Sequence, residues 1–84
     1  MFVEIYTKDG CTYCSMTKRL LESRKISYNE YHLDRDFTST ILTEKYASAR
    51  TYPVVVVDGF FIGGYSELAT KLLESDLRQN LLTE

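Results

Sequence analysis

The chain has 84 residues, so we expect residues 1–84 to form a single small domain. Ten basic and twelve acidic residues give a formal net charge of −2. That balance disfavours a nucleic-acid partner, which usually binds a basic patch. No apolar run is long enough to span a bilayer and no secretory leader is visible. We therefore expect a cytoplasmic protein that has no membrane partner.

The first half of the chain predicts two strands that alternate with two helices. Residues 2–7 alternate in polarity and are rich in β-branched and aromatic side chains, which is typical of a strand. Residues 12–24 carry apolar side chains at helical spacing. Residues 26–33 alternate again and predict a second strand. Helical spacing then returns in residues 37–46.

The second half predicts a hairpin followed by a helix. Four consecutive valines, 54–57, indicate a strand buried on both faces. Asp58-Gly59 is a two-residue hairpin turn, after which residues 60–62 return as the antiparallel partner. Ser66 is predicted to be the N-cap of the last helix. The order is β-α-β-α-β-β-α, with a right-handed parallel first crossover. It predicts an α/β protein of the thioredoxin-like fold, with a mixed four-stranded sheet flanked by three helices.

Two cysteines, Cys11 and Cys14, stand at C-x-x-C spacing. A structural disulfide usually closes a longer loop. A zinc site needs about four ligands, and beyond this pair the chain offers only one histidine, His32, for which we expect no metal or catalytic role. The spacing alone leaves half of a metal site, or two incidental thiols, open as alternatives. A strand before Cys11 and a helix after it favour a redox pair.

The two cysteines are not predicted to be equivalent. Cys11 lies where a helix starts, and the unpaired N–H groups there favour a thiolate. Lys8, three residues upstream, adds positive charge. Cys14 lies one helical turn further on and is expected to be less exposed. Since the thiolate is the nucleophile of disulfide exchange, we predict that Cys11 attacks and Cys14 resolves the mixed disulfide.

Two further segments are candidate walls of a site. Pro53 precedes the valine strand, where proline is tolerated for structural reasons alone. The functional alternative is a cis Tyr52–Pro53 bond that turns the backbone of Tyr52 toward the cysteines, so that an extended ligand can pair with it. Gly63-Gly64-Tyr65-Ser66 is either a strand end with a helix cap or an anion site made of backbone N–H groups. A ligand with a central thiol and a carboxylate at each end, such as glutathione, suits a groove between two helix starts.

These segments together resemble the glutaredoxin family, and their spacing resembles its short dithiol members. The similarity spans roughly residues 3–75 and is carried by Tyr6-Thr7-Lys8, Cys11-Thr12-Tyr13-Cys14, Thr51-Tyr52-Pro53, Asp58 to Ile62, and Gly63-Gly64-Tyr65-Ser66-Glu67-Leu68. The resemblance implies a glutathione-dependent thiol–disulfide oxidoreductase. Such a protein reduces protein disulfides and glutathione mixed disulfides.

The resemblance also implies how glutathione is held as cosubstrate, with no metal. Cys11 takes up glutathione, Lys8 holds its glycine carboxylate, and the backbone of Tyr52 pairs with its cysteinyl unit. The γ-glutamyl end meets residues 64–66, and Glu67 is near its ammonium. The residues implied for the whole glutathione site are Lys8, Tyr13, Thr51, Tyr52, Pro53, Gly64, Tyr65 and Ser66.

Three positions depart from the family pattern. Thr12 stands where the family usually has proline, between the two cysteines, and residues there tune the redox potential. Tyr52 replaces the usual valine, which keeps the main-chain role but requires a new place for the side chain. Glu67 replaces the usual aspartate, and its extra methylene alters the contact with the ammonium.

Alternative functions remain open from the sequence. One is a redoxin that ignores glutathione and is reduced by a thioredoxin reductase, against which Lys8 and Gly63-Gly64 argue. Another is a glutathione-ligated iron–sulfur cluster carrier built on Cys11, which Tyr13 and Cys14 disfavour. We expect a monomer whose partners are glutathione and disulfide-containing or glutathionylated proteins, with a ribonucleotide reductase among the candidate clients.

Overall fold

The computed structural model describes the backbone of residues 1–83 and the side chains of residues 1–77. The elements are β1 (Val3–Thr7), α1 (Thr12–Ser23), β2 (Tyr28–His32), α2 (Ser39–Lys45), β3 (Val54–Val57), β4 (Phe60–Gly63) and α3 (Tyr65–Thr83). Their order along the chain confirms the predicted order of strands and helices.

The four strands form one mixed sheet in the order β2-β1-β3-β4. β1 pairs with β2 in parallel and with β3 in antiparallel, and β3 pairs with β4 in antiparallel. Val3 lies opposite Tyr28 on one side and Val57 on the other. Because β1 and β3 are central, their ends are the best-fixed points from which loops leave the sheet.

The two faces of the sheet are covered by different helices. All four valines of β3 are buried, as the valine run predicts, because they alternate between the faces. One buried cluster joins the sheet to α1 and α3, and it contains Val3, Ile5, Leu21, Val55, Val57, Leu68 and Leu72. The other lies on the α2 side and contains Tyr6, Phe37, Leu42, Val54 and Val56. The layers therefore run α2, sheet, then α1 with α3.

Two predicted element boundaries in the first half were too wide. β2 begins at Tyr28 and not at residue 26, because α1 ends in a tight turn. In that turn Lys25 has a φ of 58° and Ile26 donates its N–H to the carbonyl of Leu21. α2 begins at Ser39 because the Thr38 hydroxyl accepts a hydrogen bond from the N–H of Ile41, which is an N-cap.

The predicted N-cap of the last helix was also wrong. α3 begins at Tyr65, so Ser66 lies inside its first turn, and Leu68 donates its N–H to the carbonyl of Gly64. Glu67 reaches back to accept a hydrogen bond from the N–H of Gly64 at 2.7 Å, the acidic half of a capping box. α3 has 19 residues, yet no helix in the described part of the chain is apolar and long enough to cross a membrane.

The burial of α3 gives a test of the packing. Leu68 is fully buried in the cluster that α3 shares with the sheet, whereas Leu73 on the same helix is 56% exposed. Leu68→Ala should lower the free energy of unfolding by about 2–5 kcal/mol, because it leaves a cavity. Leu73→Ala should change it by less than about 0.5 kcal/mol. Urea denaturation of both variants measures the difference, and equal effects would contradict this placement of α3.

Candidate active site

Cys11 and Cys14 lie at the start of α1 and are joined by a disulfide. Gly10, with a φ of 69°, ends the turn that follows β1. Cys11 is the N-cap of α1, in extended conformation, and its Sγ accepts a hydrogen bond from the N–H of Cys14 at 3.1 Å. Cys11 is half-buried, whereas Cys14 is 3% exposed. A partner molecule can therefore reach the sulfur of Cys11 more easily than that of Cys14.

The helix start provides the electrostatics that the sequence predicts. The first N–H groups of a helix have no partner within it and carry partial positive charge. The N–H that points at the Cys11 sulfur is one of these groups. Negative charge on that sulfur is therefore stabilised by a hydrogen bond as well as by the helix dipole.

Two separate depressions flank the cysteines, and they share no lining residue. The first, here called the cysteine cavity, has a volume of about 380 Å³ and is lined by Thr7, Lys8, Asp9, Gly10, Cys11, Thr12, Cys14, Ser15, Lys18, Glu30 and His32. The second, here called the groove, measures about 340 Å³ and is lined by Tyr13, Thr51, Tyr52, Pro53, Gly64, Tyr65, Ser66 and Glu67. The residues predicted for the glutathione site are thus divided between the two.

Aromatic rings and the backbone form the walls of the groove. The rings of Tyr13 and Tyr65 lie 5.9 Å apart between centroids, which brings α1 and the start of α3 together. The Tyr52–Pro53 bond is cis, which is one of the two alternatives that the sequence left open, and Pro53 is buried. A Cβ at Gly64 would lie 3.1 Å from the Pro53 carbonyl oxygen, a tight contact that shows how closely these two segments approach each other.

Lys8 links the cavity to the groove. Its Nζ lies 5.3 Å from the centroid of the Tyr52 ring, within cation–π range. The Tyr52 ring also packs near Phe37, at 6.4 Å between centroids, so the side chain that replaces the family's valine is anchored on the α2 face. Burial, and then the negative charge of Asp34, raises the pKa of Tyr52, so the ring beneath Lys8 stays neutral.

One backbone donor of the groove is already paired. The N–H of Gly64 is bound by the Glu67 carboxylate, and so it does not point into the groove as an open donor. Tyr65 and Ser66 are the first residues of α3, where helix geometry leaves N–H groups without intrahelical partners. The backbone N–H groups that remain open at this helix start are therefore those of residues 65 and 66.

Sequence reasoning missed a polar cluster behind the cysteines. The buried Thr7 hydroxyl donates a hydrogen bond to Glu30 at 2.6 Å, and Lys18 contacts the same carboxylate oxygen at 3.3 Å. His32 Nδ1 lies 3.4 Å from the Thr7 hydroxyl, and its Nε2 lies 3.0 Å from Asp9. Lys18 stands four residues after Cys14, which places it on the same side of α1. This spacing is the feature of the sequence that could have indicated the cluster.

This cluster fixes the charge of Glu30. The hydrogen bond from Thr7 lowers the pKa of Glu30, and Lys18 adds to that effect by hydrogen bonding and by its charge, while burial opposes both. Glu30 is therefore an anion at neutral pH and stays one at moderately acidic pH. Among the described side chains, no group of three or more histidine, cysteine, aspartate or glutamate residues is arranged to hold a metal ion.

Several known proteins resemble this chain in sequence or in structure. The sequence model described as Glutaredoxin matches residues 3–62, which include both cysteines and the segment 51–53. Glutaredoxin 3 of Escherichia coli K12 is 36% identical over 66 residues, covering 79% of this chain and 80% of that protein. A buckwheat glutaredoxin–glutathione complex superposes with a TM-score of 0.75 at 26% identity, over 92% of this chain and 73% of that one. NrdH-redoxin from Escherichia coli, described as glutaredoxin-like with a thioredoxin-like activity profile, has a TM-score of 0.64 at 28% identity, over 77% and 84% of the two chains.

The polar cluster gives a pH prediction. Because the pKa of Glu30 is lower in the folded than in the unfolded protein, its contribution to stability is present above the ordinary carboxyl range and is lost as pH falls through the folded value. Glu30→Gln should lower the free energy of unfolding by about 1 kcal/mol at pH 7, since hydrogen bonds to charged groups contribute roughly 1.5–3 kcal/mol and partial exposure reduces this. Glu30→Gln and wild type should converge as pH falls through the folded pKa of Glu30.

Glu44→Gln is the matched control, because Glu44 is exposed on α2. Denaturation curves from pH 3 to 7 should show the same pH dependence for Glu44→Gln as for wild type. A Glu30→Gln protein whose stability changes with pH as steeply as wild type would contradict the assignment.

Proposed function

Since the chain belongs to the glutaredoxin family, we propose that it is a glutathione-dependent thiol–disulfide oxidoreductase that reduces protein disulfides and glutathione mixed disulfides. Membership of the family and the Cys11–Cys14 disulfide give thiol–disulfide exchange as the reaction class. One observation carries the assignment of roles. The half-buried sulfur of Cys11 is hydrogen-bonded at the helix start, whereas Cys14 is almost fully buried.

The proposed reaction begins at Cys11. Its thiolate attacks one sulfur of a client disulfide, a Cys11–client bond forms, and the client's other sulfur leaves as a thiolate that takes a proton from solvent. Cys14 then attacks the Cys11 sulfur, which closes the intramolecular disulfide and releases the second client thiol. The client gains two electrons and the cysteine pair loses two.

Glutathione restores the dithiol in two exchanges. A first glutathione thiolate attacks the Cys11–Cys14 disulfide, forms a mixed disulfide at Cys11 and releases Cys14. A second glutathione attacks the glutathione sulfur of that mixed disulfide, and glutathione disulfide leaves. With a glutathionylated client, Cys11 alone suffices, because the client thiol leaves in the first step and a glutathione thiol removes the glutathione from Cys11.

We place glutathione between the cysteine cavity and the groove. Lys8 supplies a cation for one carboxylate with Tyr13 beside it, and the first-turn N–H groups of residues 65 and 66 supply donors for the other. Thr51, Tyr52 and Pro53 form the wall between them. The fold neighbour from buckwheat was solved as a glutathione complex, which supports this placement. Gly64 contributes by its small size, since Glu67 binds its N–H.

A second candidate is a redoxin reduced by a thioredoxin reductase, and the similarity to NrdH-redoxin, with its thioredoxin-like activity profile, favours it. The cation at Lys8 and the helix start at residues 65 and 66 favour glutathione instead. We also propose a cytoplasmic monomer whose residues 1–84 form one domain. Its proposed clients are disulfide-containing or glutathionylated proteins, with a ribonucleotide reductase among the candidates.

The roles of the two cysteines predict different variants. Cys11→Ser should abolish deglutathionylation of a glutathionylated peptide, because no nucleophile remains at the helix start. Cys14→Ser should retain it and lose reduction of a protein disulfide. Both activities are measured by NADPH oxidation with glutathione and glutathione reductase. The same assay with thioredoxin reductase in place of the glutathione system should run much more slowly.

Two results would overturn this proposal. Deglutathionylation by Cys11→Ser at the wild-type rate would show that Cys11 is not the nucleophile. Faster turnover with thioredoxin reductase than with glutathione would favour the second candidate. Retention of activity in Cys14→Ser serves as the folding control for the cysteine variants.

The contact with Lys8 is tested separately. Lys8→Gln should raise the KM for a glutathionylated peptide about two- to fivefold, since an exposed ion pair contributes up to about 1 kcal/mol. The value of kcat should change little, because the contact is made in both ground and transition states. Lys45→Gln is the matched control, since its ammonium also lies over a tyrosine ring, 5.6 Å from the centroid of Tyr46. Equal KM values for the two variants would contradict the assignment.

A further inference from the structure

The cysteine cavity contains polar side chains beside Cys14 to which the proposed placement of glutathione assigns no role. Cys14 is 3% exposed, so bulk water has little access to its sulfur. Lys18, Glu30 and His32 nevertheless line the same cavity as Cys14. Their charges have no place in the binding of glutathione described above. The cavity is therefore available for another step of the reaction.

That step is the loss of a proton by Cys14. A thiol attacks a disulfide only as the thiolate. Unlike Cys11, whose sulfur accepts the N–H of Cys14, Cys14 is almost fully buried, and in the described part of the chain no hydrogen bond to its sulfur is seen. A buried thiol that must ionise quickly needs a nearby base.

The contacts of His32 suit a base that gains a proton. The Thr7 hydroxyl donates its hydrogen to Glu30. Its oxygen can therefore only accept a hydrogen bond from His32 Nδ1. On the other side, Nε2 faces the carboxylate of Asp9 at 3.0 Å. A neutral imidazole has one N–H and can satisfy only one of these acceptors. A second proton on the ring satisfies both.

We propose that His32 is the proton acceptor for Cys14 during resolution of the mixed disulfide, with solvent in the cysteine cavity carrying the proton between them. The proposal rests on the proposed roles of Cys11 and Cys14. His32 takes up the proton through solvent in the cavity and not by contact with the sulfurs.

The step balances as follows for a glutathione mixed disulfide at Cys11. Cys14 gives its proton to His32, and its thiolate sulfur bonds to the Cys11 sulfur. The bond between Cys11 and the glutathione sulfur breaks, and glutathione leaves as a thiolate that takes a proton from solvent. In this step the Cys14 sulfur is oxidised from the thiol to the disulfide level and the glutathione sulfur is reduced from the disulfide to the thiol level, while Cys11 remains in a disulfide. His32 afterwards returns its proton to solvent.

Several charged groups surround His32. Asp9 from the loop after β1 and Glu30 from β2 are acidic residues that face it. Asp36 accepts the backbone N–H of His32 at 2.7 Å. Lys8 and Lys18 line the same cavity. An imidazole that already carries a second proton cannot accept another, so a low enough pH should slow the closing step.

The test follows the closing step itself. Reduced protein is mixed with glutathione disulfide, quenched with acid at intervals, and analysed by mass spectrometry for reduced, mixed-disulfide and closed forms. His32→Gln should slow the conversion of mixed disulfide to closed form at pH 7 by about tenfold. Positioned acid–base groups contribute roughly 10²–10⁴-fold, and solvent in the open cavity replaces part of this.

Three further readouts separate this role from a structural one. In His32→Gln, formation of the mixed disulfide should stay within about twofold of wild type, because Cys11 is activated independently. Added imidazole should restore part of the closing rate. Lys71→Gln, exposed on α3 outside the cysteine cavity, is the surface control and should leave both steps unchanged.

Wild-type protein gives a test that needs no variant of His32. His32 is the only histidine, so NMR of glutathionylated Cys14→Ser protein gives one imidazole titration curve. The pH at which the wild-type closing rate falls by half should agree with the midpoint of that curve within about one unit, the usual spread of histidine values. A larger disagreement would overturn the proposal.

The outcomes distinguish this inference from the proposed function. If no mixed disulfide forms at Cys11, the assignment of Cys11 fails. If it forms, but His32→Gln closes at the wild-type rate with the wild-type pH profile, only the role of His32 fails. Slowing of both steps to the same extent would likewise show that His32 has a structural role.

Discussion

The pairing of β1 with two neighbours determines where the cysteine loop, the polar cluster and the chain before β3 lie. β1 ends at Thr7, and the parallel register places His32 of β2 directly beside it. On its other side the antiparallel register sets Tyr6 opposite Val54, so the chain just before β3 lies at the same edge of the sheet. The cysteines, the polar cluster and the Tyr52–Pro53 segment therefore meet without any long loop having to be ordered.

Two different environments for two sulfurs follow from that arrangement. The loop after β1 delivers Cys11 to the start of α1, where a backbone N–H binds its sulfur. Three residues later Cys14 is turned toward the sheet, and its surroundings are the carboxyl ends of β1 and β2. The sulfur of Cys11 is thus stabilised by the start of the helix. The thiol of Cys14 instead lies beside polar side chains that the sheet positions.

Local signals made much of this predictable. The valine run and the Asp58-Gly59 turn each identify an element by a short pattern, and both are confirmed. The inequality of the cysteines in burial follows from helical spacing alone. The prediction of Ser66 as N-cap was wrong because serine is only one of the favoured N-cap residues. Here Gly64, which approaches Pro53 closely, precedes the helix, and Glu67 reaches back to its N–H.

The polar cluster could not be predicted, because it depends on strand register. Alternation in β2 shows that Glu30 and His32 share a face, but it does not show which helix covers that face. Thr7 is an unremarkable strand residue until its hydroxyl is seen between the two. Once β1 and β2 are aligned, the two ring nitrogens of His32 face the Thr7 hydroxyl and the Asp9 carboxylate. The role that we propose for His32, the only histidine in the chain, therefore depends on the pairing of strands that are more than twenty residues apart in sequence.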